Sequence, residues 1–390
     1  MTVAGLARLD WDRNATRPLR EEVRAQLLAA LSGPHGNPSS VHAEGRAARR
    51  RLEAARAQVA QVLACTPREV SFTASGSEAN ALALQGAWLA RAPGKSRVVL
   101  SSIEHPSLLT AADTLQLLGA QVVRVPPSPD GRVDAQRFLA EVDEQTAVAS
   151  LMWANNETGV VQPVDVVARA CRARGVTFHT DAVQAAGRLP LNLLQVDAAL
   201  VSLSGHKLGA PVGSGALVVR SGTPLRSVVP GHQEDGVRGG TQAVWLAEAF
   251  ALALELGDGE ARASNPLQQA SVRDAFERGV REAIADVEVT GQAAPRLPDV
   301  SHLRFLGADA EAVLIGLDLA GIAASAGAAC ASGTLAPSHV LLAMGQTPAE
   351  ARQSVRFSLP ASATPEDAQR VIAALVQLVP RARAAARAMA

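Results

Sequence analysis

Between residues 70 and 220 the chain repeats one pattern: a short apolar, β-branched run, a polar turn, then an amphipathic stretch. That alternation predicts a mostly parallel α/β sheet. Strands are expected at 97–101, 121–125, 147–153, 176–179 and 198–202, with amphipathic helices at 107–118 and 164–173. A further strand at 215–219 follows a Gly-Pro-rich turn at 209–213, from which it can run antiparallel. A helix over 242–256 leads into a polar break at 257–265. Beyond it, a long helix (266–285), short strands near 300–305 and 321–324, and a helix from 365 predict a smaller α+β region.

Composition narrows the class. At 390 residues, with 48% hydrophobic and 19% charged, the chain has material for one or two ordered domains. Lys plus Arg and Asp plus Glu both total 37, so no net charge draws it to nucleic acid or an anionic membrane. No apolar run reaches the ~18 residues that span a bilayer. The opening MTVAGLARLDWDRN carries no hydrophobic signal core, so a cytoplasmic location is expected. Three cysteines are too few and too scattered for a disulfide framework or a zinc site, and no metal is expected. Cys65 and Cys171 fall in helical patterns and read as packed residues. Cys330 differs: its surroundings, Ser325-Ala326-Gly327-Ala328-Ala329-Cys330-Ala331-Ser332-Gly333, offer few packing partners and leave the thiol presented.

Polar residues gather where strands end, the edge at which open parallel sheets collect ligands. One strand is followed by Asn155-Asn156-Glu157-Thr158-Gly159, the next by His179-Thr180-Asp181-Ala182-Val183-Gln184, and the third by Ser202-Leu203-Ser204-Gly205-His206-Lys207. A lysine there can bond to an aldehyde cofactor, and an aspartate on a neighbouring strand can keep a pyridine nitrogen protonated. The amides of Gln184 and Asn156 suit a phenolate oxygen, while Ser204 and His206 can donate to a phosphate. Upstream, Ser71 to Asn80 reads as a strand, a Gly/Ser turn through Gly76 and Ser77, and a helix start, which makes an anion site. His105, after another strand, is the ring available to stack on a flat cofactor in a chain with no tyrosine. Each feature has an ordinary reading alone: Asp181 as a helix cap, His105 as a turn residue, the Ser/Gly turn as a capped helix start. Their joint placement points to a pyridoxal phosphate site.

In this order the motifs GNPSSVHAEGR, FTASGSEAN, EHP, NNETG, HTDAVQAAG, SGHK, VRGGT, SAGAAC and VRFSL make the chain resemble the cysteine desulfurases. These are class V, fold-type I pyridoxal phosphate enzymes, and the likeness is to the nitrogen-fixation and iron–sulfur-cluster assembly subgroup. The resemblance runs from Trp11 to about 364–367. It implies a mostly parallel seven-stranded sheet in a large cofactor domain (15–257) and a small α+β domain from 1–14 with 258–390. It implies Lys207 as the Schiff-base lysine, Asp181 on the pyridine nitrogen, and Gln184 with Asn156 on the phenolate oxygen. Gly76, Ser77, Ser204 and His206 would hold the phosphate, with Thr241 serving the neighbouring subunit of a homodimer. His105 would stack on the ring and assist proton transfer, Arg356 with Asn156 would take the substrate, and Cys330 would accept sulfur from L-cysteine as a persulfide, leaving alanine.

The 13-residue segment between Cys330 and Met344 resembles the long-loop subgroup, which implies delivery to a sulfur-acceptor protein such as a cluster scaffold or a tRNA-thiolation factor. Four stretches depart from the usual pattern: Asp12-Arg13-Asn14-Ala15-Thr16-Arg17-Pro18, which puts two arginines near the cofactor entrance and could change substrate access, Ala210-Pro211-Val212-Gly213, Gly231-His232-Gln233-Glu234-Asp235, and Arg238-Gly239-Gly240-Thr241. Two enzymatic alternatives share the chemistry, a selenocysteine lyase and a class V aminotransferase. The loop thiol counts against the aminotransferase. A cofactor-binding partner without activity is disfavoured by the joint presence of Lys207, Asp181, His105, Arg356 and Cys330.

Overall fold

A computed structural model describes residues 7–263, 266–326 and 337–389. In chain order the strands are β1 (Leu9–Asp10), β2 (Val70–Thr73), β3 (Arg97–Ser101), β4 (Gln121–Val125), β5 (Thr146–Ser150), β6 (Thr177–Asp181), β7 (Leu200–Ser204), β8 (Gly215–Val219), β9 (Val287–Val289), β10 (Val300–Phe305), β11 (Ile322–Ala323) and β12 (Ser354–Ser358). Seven of them form one sheet in the order β2-β8-β7-β6-β5-β3-β4. The pairs from β7 through to β4 are parallel, whereas β8 runs antiparallel to both β7 and β2. Two reversals restore the direction, so β2 points the same way as β3, β5, β6 and β7. Their carboxyl ends therefore share one edge.

Strand β5 is buried along its whole length and continues into Leu151 and Met152, which is why the stretch reads as a mostly apolar run without alternation. Strands β6 and β7 end two residues beyond the expected limits, at Asp181 and Ser204. Their polar residues mask the strand pattern, yet side-chain and backbone bonds satisfy His179, Asp181 and Ser202. His179 is fully buried between the hydroxyls of Ser150 and Ser202, at 2.9 Å each, and burial pushes its pKa down to about 3.

The expected polar break at 257–265 is a correction: the helix Val244–Ala263 runs through Gly257 and Gly259. A Cβ at Gly257 would lie 3.2 Å from the Cα of Gly187, so the glycine there permits backbone to approach backbone. Glu260 on the same helix is paired with Arg20, and Arg262 with Asp258. The helix packs along Ala43–Leu63, where Arg51 grips Glu248 through a two-pronged contact of 2.8 and 2.6 Å.

A second, antiparallel sheet of order β12-β10-β9 lies under the helices Pro266–Ala283, Ala310–Leu319 and Pro365–Met389. Its core is separate. Trp11 sits edge-on to Phe276 and Phe357 at 5.1 and 6.3 Å, which fastens the N-terminal segment to this sheet. Strand β9 was not expected, because three residues with a central glutamate carry too little pattern.

The turn after β5 docks on the second sheet. Asn155 Oδ1 accepts from the backbone of Glu157 and Thr158 at 2.9 Å each, and Gly159 closes the turn at φ +73°. A Cβ at Gly159 would lie 2.7 Å from that of Val300. Gly159→Ala is therefore expected to cost about 2–4 kcal/mol, from a left-handed backbone plus overpacking. Gly175, at φ +64° with nothing within 4 Å of its would-be Cβ, lacks the second term. Gly175→Ala should cost only about 1–2 kcal/mol, and equal urea midpoints for the two variants would refute the docking argument.

Candidate active site

A cavity of about 490 Å³ opens at the shared carboxyl edge of the large sheet. At its floor Asp181, the last residue of β6, is held by two donors. Val183 N reaches Oδ1 at 2.9 Å, and Asn80 Nδ2 reaches Oδ2 at 2.7 Å. Asn80 also donates to Ser107 Oγ at 3.0 Å, and Ser107 Oγ contacts His105 Nδ1 at 2.8 Å. One connected chain thus fixes both the carboxylate and the imidazole.

His105 caps the helix Pro106–Leu117, with Nδ1 accepting from Ser107 N at 3.2 Å. The other ring nitrogen, Nε2, therefore carries the proton of the neutral form. Burial holds the His105 pKa below the ordinary value, against the pull of Asp181 and with help from Lys207 and His339. Lys207 ends the 3₁₀ turn Gly205–Lys207 that follows β7. Its Nζ donates to the carbonyls of Asn14 and Ala15 at 2.5 and 2.6 Å. Burial, then Arg356 and Arg188, bring its pKa down to about 8, so a neutral amine is accessible near physiological pH.

On the wall between the two sheets, Arg356 of β12 donates to Asp12 Oδ1 at 2.6 Å and to Asn156 O at 2.9 Å. Gln184 Nε2 donates to Asn14 O at 3.3 Å, while its Oε1 accepts from Arg188 at 2.6 Å. The amide nitrogen thereby lies toward Asn14, which lines the cavity, and the oxygen toward Arg188, which does not. Asn156 also lines the cavity, and its Oδ1 is buried with no partner among the described residues.

At the end nearest Lys207, the helix Gly76–Leu89 begins under Ser75, whose Oγ caps Glu78 N at 3.0 Å. Gly76 is buried and Ser77 exposed at the first turn, where free N–H groups favour an anion. A Cβ at Gly76 would meet Val183 at 2.9 Å and Ser204 at 3.0 Å, so only glycine leaves this cradle open. His206, whose pKa is pushed down to about 4 by burial and then by Lys207, is a neutral donor beside it. A phosphate at the cradle, an aldehyde at the amine and a ring nitrogen at Asp181 match the donors of this cavity, so the residues fit pyridoxal phosphate.

The structure brings together Gly76, Ser77, His105, Asn156, Asp181, Gln184, Ser204, His206, Lys207 and Arg356, all lining one cavity. Thr241 lines a different one, with Arg238 and Gly213. Cys330 lies outside the described residues. Arg13 and Arg17, expected near the cofactor entrance, instead line a separate cavity with Arg20, drawn there by Asp10 and Asp299. Asn14, Asn80, Ser107 and His339 complete the site and were not singled out from sequence. The asparagine that closes FTASGSEAN was a signal in plain view. His339, whose Nε2 donates to the carbonyl of Glu104 at 2.9 Å, had none.

A family model described as aminotransferase class-V matches residues 11–371. The chain is similar to a cysteine desulfurase of Cereibacter sphaeroides, 39% identical over 97% of each chain. It is also similar to the cysteine desulfurase NifS of Azotobacter vinelandii, 37% identical over 95% of this chain and 92% of that one. Among solved structures, a NifS-like protein superposes with TM-score 0.88 at 28% identity, covering 96% of this chain and 100% of its own. A structure described as SspA in complex with cysteine gives 0.80 at 30% identity, covering 91% and 99%. The architecture is that of fold-type I pyridoxal phosphate enzymes, and pyridoxal phosphate is the cofactor of this class. Sequence, architecture and cavity agree, and the chain belongs to the cysteine desulfurases of the class-V aminotransferase family.

Proposed function

We propose that this chain removes sulfur from L-cysteine, releasing L-alanine and leaving a persulfide on Cys330. The observation that carries the reading is the meeting of Lys207, Asp181 and Arg356 in one cavity. Bound there, pyridoxal phosphate supplies an electron sink for the pair left at the substrate Cα when its proton departs. Asp181, fixed by Asn80 and Val183, holds the proton on the ring nitrogen that makes the sink effective. Lys207 Nζ, with its lowered pKa, holds the cofactor and stands ready to take a proton in its neutral form. His105 presents Nε2–H as a donor, and Arg356 offers a planar fork to the substrate carboxylate. The Cys330 thiolate attacks the substrate sulfur; an S–S bond forms, the C–S bond breaks, and Cα and Cβ are reprotonated to alanine.

Supporting the fuller reading, the separate cores of the two sheets agree with a cofactor domain over 15–257 and a smaller domain from 1–14 and 258–390. Thr241 is assigned to the neighbouring site of a homodimer, on the strength of the VRGGT motif and its place outside its own cavity. The persulfide is passed to an acceptor protein in the cytoplasm, a reading supported by the long segment between Cys330 and Met344 for the transfer and by the sequence expectation for the location.

Equal yields of alanine and sulfide from L-cysteine with dithiothreitol test this reading, and L-selenocysteine as competitor tests the lyase alternative. Alanine formed only from selenocysteine would overturn it. Replacing the Arg356 fork by a single ammonium, in Arg356→Lys, should raise KM for L-cysteine about 10–100-fold, the scale of a lost charge-assisted bond. An unchanged KM would remove Arg356 from the carboxylate site.

A further inference from the structure

Arg188 lies one turn beyond Gln184, outside the cavity and almost wholly buried. Its Nη1 donates to Gln184 Oε1 at 2.6 Å, and its Nε pairs with Asp299 Oδ2 at 3.1 Å. Asp299 is buried too, and Arg17 approaches the same oxygen at 3.6 Å. Two guanidinium groups thus share one carboxylate, in a region from which water is largely excluded. An isolated side-chain amide can turn over, exchanging its donor and acceptor ends at little cost. Gln184 cannot, because a charged donor occupies its oxygen from behind and would meet an NH₂ group if the amide turned.

We propose that Arg188 is a positioning residue for the cofactor: clamped by Asp299, it locks the Gln184 amide with its nitrogen facing the cavity and lends that amide a positive charge. The consequence falls on the ring oxygen that Gln184 is placed to meet. Negative charge on that oxygen is stabilised by a donor backed by a cation, so the proton it shares with the Lys207 linkage leaves at lower pH. The other charges facing this region are Arg356, Asp12, Asp181, His105 and His206, and none of them touches the Gln184 oxygen. The lowering of the Lys207 pKa, in which Arg188 acts alongside burial and Arg356, agrees in sign. The clamp also reaches the second sheet, since Asp299 O accepts from Leu359 N at 2.8 Å just beyond the strand carrying Arg356.

The inference rests on pyridoxal phosphate standing at Lys207. The colour of the wild-type protein tests that premise by itself, before any variant is made. Spectrophotometric pH titration of the visible cofactor band in the holoenzyme tests the clamp. Arg188→Leu should move the midpoint up by about one pH unit, the scale of one removed neighbouring charge. Asp299→Asn, which removes the negative member and leaves Arg188 on Gln184, should move it down. Opposite shifts are what a merely structural role does not produce. Midpoints that coincide with wild type in coloured variants, or that shift in the same direction, would overturn the proposal. Should Arg188→Leu not accumulate as folded protein, Asp299→Asn decides alone: a downward shift supports the clamp and an unchanged or raised midpoint sinks it.

Discussion

Lys207→Ala is expected to give a colourless protein after desalting, with L-cysteine turnover lowered on the order of 10³-fold or more. Two losses combine in that figure. The covalent tether goes, and with it the group nearest the reacting carbon that can carry a proton. The remaining cradle is largely intact, because Gly76, Ser204 and His206 stand on other bonds than those of the lysine. Pyridoxal phosphate added back in excess should still bind noncovalently, with a band displaced from that of wild type. The Nζ contacts to Asn14 O and Ala15 O predict one more effect. Those carbonyls lose their donor in the variant, so the segment around Thr16 and Arg17 should become more open to proteolysis. A Lys207→Ala protein that keeps the wild-type band through desalting would rule the lysine out as the tether.

The parts of this site that are legible in the sequence are those in which chemistry and strand end coincide. Asp181 and Lys207 stand out because a carboxylate and an amine follow apolar runs where glycine or asparagine would serve a turn. Strands β3, β4 and β8 are legible for the same reason, being apolar between clear breakers. Asn14, Ser107, Arg188 and Asp299 are not legible, since their roles depend on contacts set by strand order and by the packing of one sheet on the other. Asn14 meets Lys207 only because Trp11 anchors the N-terminal segment beside β12. Asp299 meets Arg188 only because the loop before β10 docks beneath Gln184. The helix through Gly257 was hidden by its own glycine, which reads as a break until Gly187 is placed against it. Arg17 misled in the other direction: its place in the motif put a cation near the cofactor entrance, while Asp299 draws it behind the wall.

Cys330→Ala should keep the cofactor band, keep the spectral response to L-cysteine, and lose alanine and sulfide formation to background. The other two thiols are poorly suited to replace it. Cys65 and Cys171 are pushed up to about 12, chiefly by burial, and at neutral pH neither offers an appreciable thiolate. Neither lines the cavity. No second thiol among the described residues can therefore stand in for Cys330, and the loss should be close to complete rather than partial. In the proposed scheme, binding lies upstream of sulfur attack and uses Lys207, Arg356 and His105, so it should survive. The same inequality predicts that limiting iodoacetamide labels Cys330 first, in step with loss of sulfide release, while alanine formation falls with it. If Cys330→Ala released alanine and sulfide at wild-type rates, the sulfur would be leaving by direct elimination. The small-residue run from Ser325 to Gly333 would then need another explanation, because a thiol presented there would have no substrate to meet.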